Sequence, residues 1–474
     1  MSSNDSRSAH IARHDLLLAG SLGLLGLGLP ELLQGAQSSG LRRGAAKSCI
    51  LFFLEGGPAQ QDMWDMKPEA PLEMRGPFKP IATTNPDVQL CDELPQLAKQ
   101  IHHLALVRSV HHKIVDHNAG AYYMLTGRKP LVGSRLIISD DPTNFPPYGS
   151  VVSKLRPLKD LPEFIHMPEI MSNNGYDIPG ERAGFLGTGF DPLVAGDPSD
   201  PDYRIPGLSF PRGVNRRRLD RRRQLLGTLD TLAGANPQDK NFAGLDDHYR
   251  KAFSLLTTAR TRDAFDLDRE PESLRERYGY PDRVDRSKPA RKFGGLPHLG
   301  QCLLLARRLV EAGVRLVTVC TGRRIDQTWD GHRQHFSLLR KSILPYFDRG
   351  FSALLEDMHD RGLLDETLVV AMGEFGRTPK IGQVTSSAGA TPEGRDHWPH
   401  CYTILMGGAG INAGLVYGSS DRIAAFPKTN PVTPEDVAAT IYYALGIDPE
   451  TRIADPSGQE LPLALGSPIM PLFA

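Results

Sequence analysis

Short continuous apolar runs, separated by helical patterns, constrain this 474-residue chain more than any other feature. Cys49–Leu54 (CILFFL) is the first, and it enters a tight glycine turn at Glu55-Gly56-Gly57-Pro58. Leu104–Val107, Arg315–Cys320, Thr367–Met372 and Cys401–Met406 repeat the pattern. A strand without polar alternation is buried on both faces, as in a parallel sheet. Between the runs, helices are predicted over Ala119–Leu125, Gly300–Ala312, Phe336–Arg361 (broken near Pro345) and Pro434–Leu445. The last has Thr433 as N-cap, Pro434 at its first position and Gly446 beyond its end. The alternation predicts an α/β fold with a mostly parallel central sheet and helices on both faces.

Two segments stand apart. Leu16–Leu29 is an apolar, glycine-rich run preceded by Arg7 and Arg13, too short for a membrane span and of the length of a signal-peptide core. ARHDLLLAG around Arg13 is similar to a twin-arginine export signal, with His14 in place of the second arginine; Gly35–Ser38 is a loose cleavage site. Residues 1–45 are therefore expected to be an export leader, and 46–474 one domain in the periplasm or at the cell surface. Within it, about 157–290 is rich in Pro, Gly, Arg and Asp, with helical patterns at Arg216–Leu232 and Leu245–Phe265, and reads as an insertion.

Polar residues crowd behind the strands, where ligands bind in open α/β sheets. Asp62 and Asp65 follow the first, His111, His112 and His117 the second, Asp326, Asp330, His332 and His335 the third. Glu374, Arg377, Asp396, His397 and His400 follow the fourth. A lone loop histidine is ordinarily solvated; four such clusters on one sheet edge point to a divalent-metal site. Oxygen and imidazole donors without thiolate suit zinc first, with manganese or calcium as alternatives. The cysteines are scattered and form no C-x-x-C, which excludes a thiol redox motif or a zinc knuckle.

Other motifs carry less. Gly408-x-Gly410-x-x-Ala413 lacks the helix that a dinucleotide fingerprint needs and reads as a glycine turn. RRRLDRRRQLL at Arg216–Leu226 reads as a solvated arginine face on an insertion helix. Lys+Arg and Asp+Glu are 55 each, so no basic excess marks a nucleic-acid binder.

Longer motifs then point to a family. GGPAQQDMWDMKP (Gly56–Pro68), DHNAGAYYMLTGRKP (Asp116–Pro130), GFLGTGFDPLV (Gly184–Val194), ARRLVEAGVRLVTV (Ala306–Val319), WDGH (Trp329–His332), RGLLDETLVVAMGEFGRTPKI (Arg361–Ile381) and GRDHWP (Gly394–Pro399) resemble the family called domain of unknown function 1501. That family is a sulfatase-like branch of the alkaline phosphatase superfamily. The resemblance implies an alkaline-phosphatase-like three-layer α/β sandwich. It places Glu55 or Asp62 at the first metal position, Asp330 and His332 at a later one, Glu374 next and His397 last, with Asp396 as a further ligand. Counting back from Thr126-Gly127-Arg128 puts His117 in the nucleophile slot, where sulfatases carry a cysteine; Ala59 stands where the family commonly has serine.

Two functions follow as expectations. The first is an exported metal-dependent hydrolase of a sulfate or phosphate ester, acting on an anionic ester or glycan. Asp62, Asp330, His332, Glu374, Asp396 and His397 would hold the metal, His117 would be nucleophile, ligand or acid, and Arg377 would steady the oxyanion. The second is a non-catalytic secreted module binding a glycan or a partner protein.

Overall fold

The computed structural model describes residues 46–203, 205, 218, 221, 224, 225, 228, 258–279 and 288–473. The leader, most of the basic Arg216–Leu226 stretch and most of the Leu245–Phe265 pattern lie outside the described residues.

The principal elements are β1 (Ser48–Phe53), β2 (Leu104–Val110), α1 (His117–Thr126), α2 (Tyr148–Leu155), β3 (Phe164–Met167), β4 (Leu193–Val194), α3 (Leu299–Ala312), β5 (Leu316–Cys320), α4 (Leu344–Asp360), β6 (Thr367–Met372), β7 (Tyr402–Gly407), β8 (Val416–Tyr417) and α5 (Pro434–Ala444). They build one eight-stranded sheet in the order β4-β3-β5-β1-β6-β7-β2-β8. Pairing is parallel from β4 through β6. β7 is antiparallel to both its neighbours, and β8 is parallel to β2. β7 is therefore the one strand of this sheet that runs against the rest. This reversal matters for the site: the residues preceding β7 arrive at the same edge as those following β1, β2, β5 and β6.

β1 shows why the sheet is sandwiched. Ile50 and Phe52 enter one core, while Cys49, Leu51 and Phe53 enter the other. The first core receives Leu303, Leu304 and Leu305 of α3 and Phe347, Phe351 and Leu354 of α4. The second receives Met124 and Leu125 of α1, Val151 and Val152 of α2, and Val437 and Ile441 of α5. With apolar side chains on both sides, β1 can only be central. This is the three-layer α/β sandwich with a mostly parallel sheet that the sequence implies.

The ring of Phe347 is fully buried and meets Phe52, Phe351, Trp329 and Trp64 at centroid distances of 5.7, 5.3, 5.4 and 6.1 Å. Phe347→Ala should lower the unfolding free energy by about 3–5 kcal/mol, read from the denaturant midpoint.

The differences from expectation are local. α4 starts at Leu344 with Pro345 in its first turn, and the break lies just before it, in a widened turn over Leu339–Ile343. α5 carries the expected Thr433 cap, completed by Asp436 into a reciprocal capping box. The Gly408–Gly410 segment is a turn of positive φ, and β8 rather than a helix follows it. The stretch taken as an insertion, about 157–290, contributes β3 and β4 to the central sheet. β3 is only four residues between Pro162 and Pro168, too short for an apolar run to stand out. No helix among the described residues is long and apolar enough to cross a membrane.

Candidate metal centre

Four loops meet at the sheet edge. β1 ends in Glu55-Gly56, where Gly56 holds φ +102° and a Cβ would lie 2.6 Å from the backbone nitrogen of Asp330. Only glycine allows the β1 turn and the Asp330 loop to approach this closely. α1 begins two residues earlier than the apolar pattern predicts, because Asp116 caps it by accepting from the Ala119 amide at 2.9 Å. This places His117 in the first turn, facing the sheet edge. A short ladder pairs Arg377 with His397 and brings the segment before β7 alongside the segment after β6.

His117, Asp330, His332 and His397 converge there, each buried, with one donor atom apiece within 4.8 Å of the others. Nε2 of His117, His332 and His397 stands 3.5, 2.9 and 3.8 Å from Asp330 Oδ1. Four ligands at about 2.0 Å from a tetrahedral zinc would stand ~3.3 Å apart, so the set fits such an ion. The opposite ring nitrogens are all engaged. His117 Nδ1 meets Glu374 Oε1 at 2.5 Å, His397 Nδ1 meets the Val115 carbonyl at 2.7 Å, and His332 Nδ1 meets the Gly389 carbonyl. Each acceptor holds a proton on Nδ1 and turns Nε2 inward, the outer arrangement of metal-binding histidines, and the Nε2 atoms of His332 and His397 stand 2.9 Å apart. His117 Nε2 has no hydrogen-bond partner although it is buried.

Charge around the group is arranged to match. Burial alone would raise the Asp330 pKa, but Arg377 and the three histidines hold it well below the ordinary carboxylate range. Arg377 donates to Oδ1 at 2.7 Å and Arg291 to Oδ2 at 2.6 Å. Burial would depress His117, yet Asp330 and Glu374 on either side raise it to about 9. His397 is pushed down to about 3, first by burial and then by the neighbouring charge of His117.

The other sequence candidates lie outside the converging group. Glu374 lies behind His117, with its carboxylate also accepting from the Gly56 amide at 2.9 Å, and is not among the four converging donors. Asp62 is turned away from the group: Arg395 grips it at 2.6 and 2.9 Å, and His335 Nε2 reaches it at 2.9 Å. Asp396 closes its own loop, accepting from the amides of Thr385 and Ser386 and the hydroxyl of Ser386, and these bonds outweigh burial to hold it at about 2. Arg377 is fully buried and donates to the carbonyls of Gly56, Gly57 and Arg395 as well as to Asp330, so its guanidinium is spent among these loops.

Glu55, the other first-position candidate, is buried against Thr321 and Thr328. Burial raises its pKa to about 8, against those hydrogen bonds. An acid raised in the folded state stabilises most below its unfolded value near 4.5, and that stability is lost as pH climbs through 8. Denaturant melts should show stability falling across that window, and Glu55→Gln should flatten the fall.

Arg291 and Arg395 are the contributors that sequence reading missed. Arg395 spends all its N–H groups on Asp62 and on the carbonyls of Thr378, Pro379 and Met74. Its position beside Asp396-His397 was the available signal.

A family model described as "Protein of unknown function (DUF1501)" matches residues 46–472. The chain belongs to the DUF1501 family. That is the family to which the GGPAQQDMWDMKP and GRDHWP motifs point. No curated protein matches this DUF1501 chain in sequence. Among solved structures, it is similar to the lipoteichoic acid synthase LtaP from Listeria monocytogenes, at 10% identity and TM-score 0.35, over 89% of this chain and 75% of that one. It is similar to a TAB5 alkaline phosphatase mutant with Mg bound in its M3 site, at 11% identity and TM-score 0.33, over 81% and 97%. It is also similar to the PsFucS1 sulfatase from Pseudoalteromonas sp., at 10% identity and TM-score 0.34, over 88% and 70%.

Proposed function

We propose that this DUF1501 protein is an exported, metal-dependent hydrolase of a sulfate or phosphate ester. The observation that carries the reading is the convergence of three Nε2 atoms on one carboxylate oxygen, with every Nδ1 already committed elsewhere. Such a set of donor atoms can hold a cation at its centre. His117, Asp330, His332 and His397 would hold it; three imidazoles favour zinc over calcium, which prefers oxygen donors. When bound, the ion supplies Lewis-acid stabilisation of an anionic ester oxygen.

The remaining roles belong to the chain. Arg377 and Arg291 keep Asp330 ionised and oriented. Glu374 sets the tautomer of His117. Phe375 lies against His117 and His397 at ring distances of 4.9 and 4.8 Å, occupying the place beside Glu374 where a second ion would need a ligand. The reading is therefore of one ion. Both nitrogens of His117 are committed, and none of the four converging residues is a hydroxyl or thiol, so attack on the ester falls to water and not to a covalent residue.

Elemental mass spectrometry of the purified protein, dialysed against metal-free buffer, tests this. About one zinc per chain, with turnover of 4-nitrophenyl sulfate or phosphate that a chelator abolishes, is the expected result. No retained metal and none taken up on titration would sink it. The absence of a hydroxyl or thiol in the group favours a second reading, a secreted binding module; metal retention without turnover of any ester would select that one.

A further inference from the structure

A cavity of about 530 Å³ adjoins the four-residue group and is not used in the reading above. Two of its lining residues hydrogen-bond to members of the group. Arg291 lines it and donates to both the carbonyl and Oδ2 of Asp330, at 2.8 and 2.6 Å. Thr391 lines it and donates its amide to the His332 carbonyl at 3.0 Å. Arg333 and Gln334, which follow His332 directly, complete that side. Gln334 holds φ +51°, a conformation that costs a non-glycine residue free energy. The kink lets His332 face the group and His335 face Asp62, while Arg333 and Gln334 are left at the cavity.

The lining is mixed, and three of its polar side chains are unspent. Arg333, Gln334 and Glu393 are exposed, and among the described residues none has a side-chain hydrogen bond or ion pair. Arg333 and Glu393 line one cavity without pairing to each other. A simple anion site would not include a carboxylate, and a simple cation site would not include two guanidinium groups. Hydroxyl groups both donate and accept, so a ring of hydroxyls satisfies guanidinium, amide and carboxylate together. Pro392 and Leu338 add apolar surface suited to the C–H face of such a ring. The volume lies in the ordinary range for small-molecule sites.

We propose that this cavity binds a sugar residue carrying a negative charge, with Arg333 taking the charge and Gln334 and Glu393 the hydroxyls. That the scissile ester of the same glycan then sits at the four-residue group rests on the hydrolase reading; the sugar site itself does not.

Ligand-observed NMR titration tests it with glucose 6-sulfate, glucose 6-phosphate and glucuronate as charged probes, and with glucose and inorganic sulfate as controls. At least one charged sugar should bind at least ten-fold more tightly than either control. Arg333→Ala should weaken that binding by about ten-fold, the worth of one charge-assisted hydrogen bond. Glu393→Ala should weaken the sugar but not inorganic sulfate. Binding that survives in a protein shown to take up no metal would retire the hydrolase reading and keep this one. The proposal is overturned if no charged sugar binds, if inorganic sulfate binds as tightly as the sugars, or if Arg333→Ala and Glu393→Ala bind as the parent does.

Discussion

Replacing His397 by alanine should leave a folded protein that binds zinc at least ~100-fold more weakly than the parent. Removal of an outer partner of a metal-binding histidine typically costs about 10–100-fold, and removal of the ligand itself exceeds that. The effect is large here because the neighbouring carboxylate of Glu374 is already engaged, accepting from His117 and from the Gly56 amide. Glu374→Gln should fall in the intermediate range of about 10–100-fold, since it loosens the tautomer of His117 without deleting a donor. Competition with a chromophoric chelator measures both, and far-ultraviolet circular dichroism shows whether the fold is kept. A His397→Ala protein that holds zinc as the parent does would remove this group from consideration as the metal site.

Arg395→Met should cost on the order of 3–5 kcal/mol of stability. Asp62 and Arg395 are both buried, and the pair joins three loops: Gln60–Asp62, the His335 turn and the Arg395–His397 segment. Removing the guanidinium leaves a buried carboxylate facing only His335. The double variant Asp62→Leu/Arg395→Met should recover much of that loss, because apolar replacement of both partners removes the stranded charge. Urea denaturation of the three proteins decides it. Zinc affinity should fall in Arg395→Met as well, since His332 and His397 lie on the loops it ties. A single variant within about 1 kcal/mol of the parent would show that the pair braces nothing.

The sequence and the structure agree where the signal is local. The apolar runs marked β1, β2, β5, β6 and β7 to within a few residues, because a strand buried on both faces must be apolar throughout. β3 and β4 escaped notice because a strand of two to four residues is too short to display a pattern. The His332 and His397 candidates carried through to the converging group, and Asp330 with them. Asp62, Glu374 and Asp396 are carboxylates in the same loops, identical in type to a ligand. What distinguishes them is the partner each one meets: Arg395 for Asp62, His117 for Glu374, the Thr385–Ser386 amides for Asp396.

The sequence by itself determined five of the eight strands of the central sheet and which edge of the sheet collects polar residues, because hydrophobic periodicity and turn chemistry act over a few neighbouring positions. Only the tertiary structure decided which of those residues face one another. That choice depends on the reversal of β7, on the Arg377–His397 ladder and on the arginines that claim some carboxylates and orient others. Each of these joins residues distant along the chain, and no local pattern encodes a contact of that kind.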